Sequence, residues 1–388
     1  MHDISIFFEP IANTAPETYY EATLGNTILK NSISFPSIER NSIVLFGVCE
    51  DRGSNTRELK CHNAPNLVRD ELYKLYNHFG LTKIYDLGNI NAGATTADTY
   101  FAVSQVIQEL IKINCIPLII GGTQDLTYAN YLAYQALEQV VNIVNIDARF
   151  DLGKETDELK EYSYLSKIVM HQPNFLFNYS NIGYQSFLNS SEDILLMQKM
   201  YFDVHRVGTI QKNMEEAEPI LRNADIVSFD INAIRRSEAP AGNNNSPNGF
   251  NGQEACQLAR YAGASDKVTS FGIYNVSPVL DEHSTTAALA AQIIWFFIDG
   301  VGIRKNEMPS PVNANFMRYH VTIEDGNHQL EFYKSKQSEK WWMAVPYPPD
   351  KRLKFERHTN VPCSYNDYLK ATHNELPDKW WETYQKLF

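Results

Sequence analysis

The sequence lacks the features that mark several large classes of protein. Its five cysteines are widely spaced and include no Cys-x-x-Cys pair, which favours free thiols in a reducing cytoplasm over disulfides or a zinc site. Its 34 basic residues are outnumbered by 46 acidic ones, so we expect neither a general nucleic-acid binder nor a protein of anionic membranes. The amino-terminal segment has no basic region before a long apolar run, and we expect no secretory signal.

Long apolar runs and internal repeats are also missing. The most apolar stretch, QIIWFFIDGVGI, is interrupted by Asp299 well short of a membrane span, so we expect no membrane segment. No low-complexity tract is present. The 388 residues, 44% of them hydrophobic, are enough for one large globular domain or two smaller ones.

Strand-like runs alternate with helical patterns along most of the chain. Short β-branched runs such as NSIVLFGV, IPLIIGG, VVNIVNID and ADIVSFDINAI are separated by longer segments with apolar residues at helical spacing. This alternation is typical of a parallel sheet covered by helices on both faces. We therefore predict an α/β domain over residues 1–324, with its regular part ending near residue 305.

Residues 325–388 differ in composition from this domain. They contain two tryptophan pairs, Trp341–Trp342 and Trp380–Trp381, a proline-rich turn, and a local excess of lysine and arginine over residues 334–357. We interpret them as an extension whose aromatic side chains pack on the domain while its basic side chains stay solvated. The alternative is that the basic run is a docking surface for an acidic partner or for phosphate.

Polar residues stand at the ends of three predicted strands. They lie in the segments GGTQD, DARFD and SFDIN and are Gln124, Asp125, Asp147, Arg149, Asp151, Asp230 and Asn232. A single aspartate in such a place is usually a helix cap or a turn residue. Ligands, however, gather at the carboxyl ends of the strands in open parallel sheets. Alternate residues of an extended chain point the same way, so the three clusters together predict one polar cleft.

These ordered motifs resemble the ureohydrolases, the family of arginase, agmatinase and formimidoylglutamase. The resemblance covers about residues 43–301 and includes GVCEDRGSNTR, NAPNLVR, DLGNI, PNGFNGQEA and NVSPVLD, besides the three segments above. The segment NIGYQSFLNS is most similar to the formimidoylglutamase branch. The resemblance implies a three-layer α-β-α fold around an eight-stranded parallel sheet, and assembly as a trimer or hexamer.

The resemblance also implies a metal site, which this sequence changes. Active family members hold two manganese ions with two histidines and four aspartates from GGxH, DxHxD and DxD segments. The corresponding positions here are Gln124, Asp147, Arg149, Asp151, Asp230 and Asn232, of which only the three aspartates match. Because an arginine cannot lose its proton to bind a metal, we expect no metal cofactor. We interpret Arg149 as an internal counter-ion of the three carboxylates.

Two further positions of the family's chemistry are changed. The glutamate that holds the cationic nitrogen of the substrate in family members corresponds to Asn275 here. The histidine that shuttles protons in arginase is missing, because His171 lies further along the chain before a turn-like QPN, and we interpret it as a surface or core histidine. We therefore assign no catalytic residue.

From these changes we predict a metal-free pseudoenzyme with a binding or scaffolding role, cytoplasmic and homo-oligomeric. One alternative is a weak or altered hydrolase of linear amidines, in which the three aspartates and the amide oxygen of Gln124 hold one hard cation. Another is a sensor of a small amino-acid-like ligand. In that case Arg149 would bind the ligand's carboxylate and the loop of residues 243–251 would line the pocket.

Overall fold

The computed structural model describes residues 3–11, 20–80, 82–153, 159–243, 246–310, 312–323, 329–348 and 355–388. Nine strands of these residues form one sheet: β1 (Leu29–Lys30), β2 (Ile43–Cys49), β3 (Ile84–Asn91), β4 (Ile116–Ile120), β5 (Val141–Ile146), β6 (Leu176–Tyr184), β7 (Asp203–Arg206), β8 (Ile226–Asp230) and β9 (Ser270–Tyr274). Their order is β1-β3-β2-β4-β9-β8-β5-β6-β7, and every neighbouring pair is parallel. The resemblance implied eight strands. The sheet has nine, and the strand at one edge, β1, is only two residues long.

Helices connect the strands and cover both faces of the sheet. They are α1 (Leu24–Thr27), α2 (Ala64–Tyr73), α3 (Thr96–Lys112), α4 (Leu126–Ala136), α5 (Tyr164–Met170), α6 (Ser191–Lys199), α7 (Val207–Lys212), α8 (Ala217–Arg222), α9 (Gly252–Gly263) and α10 (Thr285–Gly302). Side-chain capping fixes where several of them begin. Thr95 and Asp98 form a capping box at the start of α3, and Asn251 and Glu254 form one at the start of α9.

Two apolar cores lie on opposite faces of the sheet. Alternate residues of β2 divide between them, with Leu45 in the core under α2, α9 and α10, and Val44 and Phe46 in the core under α3, α4 and α5. This division follows from the period of two along a strand. The predicted three-layer α/β architecture is therefore confirmed.

Helix α10 is the one helix of the described residues that is long and apolar enough to cross a membrane. Its side chains Ile293, Ile294 and Phe297 are buried in the apolar core, where α10 packs against α2 and α9. A buried core helix passes the same test of length and composition, and α10 is packed as one.

The carboxyl-terminal part of the chain forms a second, antiparallel sheet. Its strands are β10 (Phe316–Thr322), β11 (Gln329–Ser335), β12 (Trp341–Ala344) and β13 (Asn360–Cys363), followed by α11 (Tyr365–Thr372) and α12 (Asp378–Leu387). The expected boundary at residues 324 and 325 lies outside the described residues. Strand β10 shows that the second sheet begins before that boundary. Trp341, Trp342 and Trp380 are buried, whereas Trp381 is 42% exposed.

This extension covers the amino ends of β5 and β8. His358 Nε2 donates to the backbone oxygen of Val140 at 3.1 Å, and Arg357 Nη2 donates to Asp225 Oδ1 at 2.7 Å. Lys340 pairs with Glu218 at 3.2 Å. The extension therefore contacts the amino ends of these strands, whereas the predicted cleft lies at the carboxyl ends.

The basic run of the extension is largely used inside the chain. Besides Lys340 and Arg357, Lys334 Nζ lies 3.8 Å from Glu339, and Lys336 Nζ donates to the backbone oxygen of Ala314 at 2.8 Å. Lys351, Arg352 and Lys354 lie outside the described residues. The described part of the run supports the structural interpretation of the extension.

Candidate functional site

Four neighbouring strands at the centre of the parallel sheet bring polar residues to one cleft. Gln124 follows β4, Asn275 follows β9, Asp230 ends β8 and Asp147 follows β5. Parallel strands carry their carboxyl ends at the same edge, so these side chains meet there, as the sequence predicted. The cleft has a volume of about 500 Å³ and is lined by Asn55, Gln124, Asp147, Ala148, Arg149, Asp151, Glu161, Tyr162, Asp230, Asn232, Asn243 and Asn275.

Three aspartates of the cleft are buried carboxyl groups. Asp147, Asp151 and Asp230 are 1%, 9% and 4% exposed. Burial raises the pKa of Asp147, and it raises the pKa values of Asp151 and Asp230 well above their usual range, with the charge of Asp147 adding to the effect. The three carboxyl groups are therefore more stable when they are protonated or hydrogen-bonded than when they carry three uncompensated charges.

The side-chain amide of Gln124 lies against all three carboxyl groups. With its nitrogen turned towards them, Nε2 shares its N–H groups among Oδ2 of Asp147 at 3.0 Å, of Asp230 at 3.1 Å and of Asp151 at 3.3 Å. Its oxygen then accepts from Ser228 Oγ at 3.2 Å and from the amide nitrogen of Asn145 at 2.7 Å once that amide is turned as well. The opposite orientation would place four oxygens face to face, which is unfavourable without a proton or a cation between them. Hydrogen bonding therefore favours the orientation in which Gln124 donates to the aspartates.

Two asparagines supply further donors to Asp230. Asn275 Nδ2 donates to Asp230 Oδ2 at 2.9 Å, and Asn232 donates to Asp230 from its backbone N at 2.8 Å and from Nδ2 at 3.2 Å. Asn275 has a φ of 66°, a left-handed conformation that asparagine adopts more readily than most residues. Its Oδ1 accepts from the backbone N of Gln124 at 3.1 Å. Both asparagines are thus bound to the carboxylate itself.

Arg149 forms no salt bridge with the three aspartates within the described residues, although its charge opposes the rise in the pKa of Asp147 that burial causes. The structure therefore does not support its predicted role as their counter-ion. Its side chain is exposed, and Nη1 donates to the backbone oxygen of Leu188 at 3.0 Å. The prediction assumed an extended chain through residue 151, but β5 ends at Ile146 and residues 147–149 form a bend. In this bend Asp147 Oδ1 accepts from the backbone N of Arg149 at 2.9 Å, an aspartate turn that redirects the following side chains.

Glu161 is a cleft residue that the sequence analysis missed. It precedes α5, and its Oε1 accepts from Ser54 Oγ and from the backbone N of Asn55, both at 3.3 Å. Burial raises the pKa of Glu161 to about 7. The sequence offers one signal for it, an acidic residue shortly after DARFD, in the stretch where the resemblance implies a histidine.

The other residues that the sequence analysis singled out lie either in the cleft lining or in the interior of the fold. His171 packs edge-on against Tyr128, and its Nδ1 lies 3.0 Å from the hydroxyl of that residue, away from the cleft lining. Asp125 is fully buried and does not line the cleft. Asn243, from the loop that the sensor alternative places at the pocket, lines the cleft, while residues 244–245 lie outside the described residues.

Two manganese ions do not fit this set of residues. Neither position 124 nor position 149 offers an imidazole, and the guanidinium of Arg149 cannot bind a metal ion. Asp230 Oδ2 accepts hydrogen bonds from amides, which compete with a metal for its lone pairs. Within the described residues, no group of three or more histidine, cysteine, aspartate or glutamate side chains has a geometry that could hold a metal ion.

The fold and the cleft together define the class of this chain. A parallel sheet with helices on both faces carries aspartates at the ends of its central strands, and the model of the arginase family matches residues 41–298, more than half of the sequence. The chain belongs to the arginase family. The resemblance inferred from the motifs is thereby confirmed.

Within this family the chain is similar to formimidoylglutamases. It is 26% identical over 272 residues to the formimidoylglutamase of Geobacillus sp. (strain WCH70), covering 65% of this chain and 81% of that protein. The formimidoylglutamase of Streptococcus gordonii is 24% identical over 307 residues, covering 72% and 92%.

Solved structures of formimidoylglutamases share the fold. The crystal structure of the enzyme from Bacillus subtilis subsp. subtilis str. 168 superposes with a TM-score of 0.68 at 18% identity, covering 75% of this chain and 96% of that one. The formiminoglutamase of Trypanosoma cruzi with Mn²⁺ superposes with a TM-score of 0.63 at 17% identity, covering 69% and 97%.

Proposed function

We propose that this protein is a formimidoylglutamase-like member of the arginase family that works without manganese, as a binding protein and not as a hydrolase. The observation that supports the proposal is the set of amide donors around the buried aspartates. Gln124, Asn232 and Asn275 stand at positions where the resemblance implies a histidine, an aspartate and a glutamate, and each donates to one or more of the carboxyl groups.

These three replacements act in the same direction. Replacing an aspartate by Asn232 leaves three carboxyl groups in place of four, which lowers the negative charge that a buried cleft must balance. The amide of Gln124 places partly positive N–H groups against the three remaining carboxyl groups. Such an arrangement stabilises the cleft without two divalent cations, because the carboxyl oxygens already have hydrogen-bond partners.

The open part of the cleft suits a small amino-acid-like ligand. Arg149 lines it with an exposed guanidinium, which can bind a carboxylate with two parallel hydrogen bonds. Glu161 lines it as well, and can accept from an ammonium group. A zwitterionic ligand would find a partner for each of its charges, whereas the buried aspartates would not take part in the contact.

The proposal places the protein in the cytoplasm as a homo-oligomer. All five cysteines are free thiols, which suits a reducing compartment. Trimers or hexamers are the assemblies that the family resemblance implies.

A second candidate is a weak or altered hydrolase of linear amidines that uses one hard cation. With the opposite orientation of its amide, Gln124 would face Asp147, Asp151 and Asp230 with its oxygen, at the same separations of 3.0 to 3.3 Å. Such an all-oxygen set can hold magnesium, calcium or manganese. This candidate requires that a cation reverse the amide.

Product-release assays distinguish the two candidates. Protein purified with manganese or magnesium is incubated with formiminoglutamate, arginine or agmatine, and formamide or urea is measured beside the Bacillus subtilis formimidoylglutamase as positive control. We expect no product from this protein with either metal. Metal-dependent turnover of any of the three compounds would establish the hydrolase and reject the binding role.

A further inference from the structure

A second concave surface is lined by the segment at the end of β6 and just after it. This surface, called the α7 groove below, has a volume of about 740 Å³. Its walls come from β6, the end of β7, α7 and the loop before α9. Its lining includes Phe187, Arg206, Lys212 and Arg235.

The charge of the α7 groove is opposite to that of the whole chain. Three of its lining residues are cationic and none is acidic, although the chain carries a net charge of −12. A basic concave surface on an acidic protein attracts anions and disfavours basic partners. The groove therefore selects a ligand of negative charge.

Two of these cations have no ion pair within the described part of the chain. Arg206 and Lys212 are exposed and form no salt bridge there, whereas Arg235 pairs with Glu238 at 2.7 Å. This differs from the basic run of the carboxyl-terminal extension, where Lys340 and Arg357 pair with acidic groups of the same chain. The α7 groove keeps cationic groups available for an external anion.

The spacing of the two free cations favours an extended anion over a single phosphate. Arg206 immediately precedes α7 and Lys212 is its last residue, so their backbones are about 9 Å apart at 1.5 Å per helical residue. Extended peptides rise about 3.3 Å per residue, so carboxylates about three residues apart match this spacing. A single phosphate would require cations that converge on one point.

An exposed aromatic side chain completes the surface. Phe187, on the short helical turn Ser186–Leu188 that lines the α7 groove, is 68% exposed. Aromatic and cationic side chains together are typical of the central contacts of protein interfaces. The ligand should therefore present an apolar side chain beside its carboxylates.

We propose that the α7 groove binds an acidic segment of a partner protein that carries an apolar residue next to its carboxylates. The groove shares no lining residue with the aspartate cleft, and its binding does not depend on a metal. A failure of this inference would therefore leave the function proposed for the cleft untouched, and the reverse also holds.

The test uses a fluorescently labelled peptide of six glutamates with one leucine at its centre. Its anisotropy is measured with the full-length protein at low ionic strength and with EDTA present. We expect saturable binding that weakens as salt is added, because the contacts are between exposed charges. No binding at millimolar protein, or binding that salt does not affect, would overturn the proposal.

Charge reversal locates the binding site. The double substitution Arg206→Glu/Lys212→Glu should weaken peptide binding at least about tenfold, since it converts two attractive contacts into repulsive ones. The matched control Arg40→Glu/Lys305→Glu makes the same change of net charge at exposed residues outside the α7 groove, and should leave the affinity unchanged. Equal losses in both variants would show that binding reports net charge alone and would refute the groove.

Further variants test the apolar contact and folding. Phe187→Ser should weaken binding of the leucine peptide on the order of tenfold, but not of an all-glutamate peptide. If the charge-reversed protein does not fold, as judged by circular dichroism, Arg206→Gln/Lys212→Gln replaces it, and unchanged binding by that variant overturns the proposal.

Two other occupants of the α7 groove are outcomes of the same experiment. If inorganic phosphate displaces the peptide as effectively as free glutamate peptide does, the groove is a site for single anions and the proposal fails. If light scattering shows that the charge-reversed variant loses an oligomer that the unmodified protein forms, the groove is an interface between copies of this chain, and the proposal also fails.

Discussion

The two ends of strands β5 and β8 hold buried carboxyl groups in different ways. At the amino end, Asp225 is fully buried, Arg357 Nη2 donates to its Oδ1 at 2.7 Å, and Lys267 Nζ lies 3.9 Å from its Oδ2. At the carboxyl end, the donors to Asp147 and Asp230 within the described residues are backbone N–H groups and side-chain amides. The chain supplies cations at one end and neutral donors at the other.

The comparison distinguishes a structural ion pair at the amino end from a modified ligand site at the carboxyl end. The cations at the amino end compensate the charge of Asp225, and the pairing of Asp225 with Arg357 connects the extension to the sheet. At the carboxyl end the donors are neutral, and burial raises the pKa values of Asp151 and Asp230 well above their usual range, which favours their protonated forms. In this account, amides have replaced metal ions where a guanidinium was expected to do so.

The largest effect is expected at the amino end of the strands. Arg357→Ala should lower the free energy of unfolding by about 3 kcal/mol, the lower part of the range for removing one partner of a buried pair, because the Arg357 side chain is 42% exposed. Urea unfolding followed by fluorescence measures this loss. In an Asp225→Asn background the same substitution should cost much less; an equal cost in both backgrounds would show that the ion pair is not the cause.

A slightly smaller effect should follow from rebuilding the ligand set at the carboxyl end. The triple variant Gln124→His/Arg149→His/Asn232→Asp restores two imidazoles and a fourth carboxylate. With free manganese at a hundred times its dissociation constant, binding should stabilise it by about 2.7 kcal/mol. Thermal melting with and without manganese is the measurement, with the unmodified protein as the control that should not shift.

The rebuilt variant should bind metal without becoming an enzyme. Asn275 cannot supply the negative charge that anchors a cationic substrate in family members, and its amide remains a donor to Asp230. If the triple variant shows no manganese-dependent shift, the assigned correspondence of these positions with metal ligands is wrong. Rapid turnover by it would contradict the importance given to Asn275.

A moderate gain is expected from neutralising one carboxyl group of the cleft. The pKa of Asp151 is raised by burial and by the charge of Asp147, so the folded protein keeps a proton that the unfolded chain releases. Its contribution to stability is therefore full below the unfolded-state pKa of about 4 and is lost as the pH rises through the folded-state value. Because asparagine has no carboxyl proton to lose, Asp151→Asn should abolish this loss of stability at rising pH.

This variant should be more stable than the unmodified protein at neutral pH by about 1 kcal/mol, the scale of one pKa unit. Asparagine also suits the positive φ of 54° at this position. Melting temperatures of both proteins at several pH values provide the test, and the two curves should meet near pH 4. A variant that is less stable at neutral pH would show that the carboxylate of Asp151 is charged and compensated.

The smallest effect is expected for Arg149. Because its guanidinium is exposed and bonded to the backbone of Leu188, Arg149→Ala should change the free energy of unfolding by less than about 0.5 kcal/mol. Urea unfolding of this variant beside Arg357→Ala compares the two arginines directly. A loss of several kcal/mol at Arg149 would restore the internal counter-ion and contradict the contrast between the two ends.

The sequence was sufficient to predict the sheet and the convergence of Gln124, Asp147 and Asp230. These residues follow or end adjacent parallel strands, and the geometry of such a sheet brings strand ends together whatever the side chains are. The second sheet was not predicted, because the aromatic residues of β10 to β13 indicated only that the segment packs against other parts of the chain.

The direction of Arg149 could not be read from residue spacing. A period of two holds only while the chain is extended, and hydrogen bonding within the motif decides where that ends. Both Asp147 and Asp230 accept from the backbone N two residues later, at 2.9 and 2.8 Å, so each motif closes a turn. The roles of Asn275 and Glu161 likewise depend on contacts between distant segments, which no local pattern shows.

Metal content is the most direct test of the claim that amides have replaced metal ions at the carboxyl end of the sheet. The protein is produced in cells supplied with manganese, purified without chelators, and examined by elemental analysis for manganese, magnesium and calcium. We expect well under one equivalent of any of these metals per chain. Two tightly bound manganese ions per chain would contradict the account, because they would require Gln124, Asn232 and Asn275 to give up the hydrogen bonds described above.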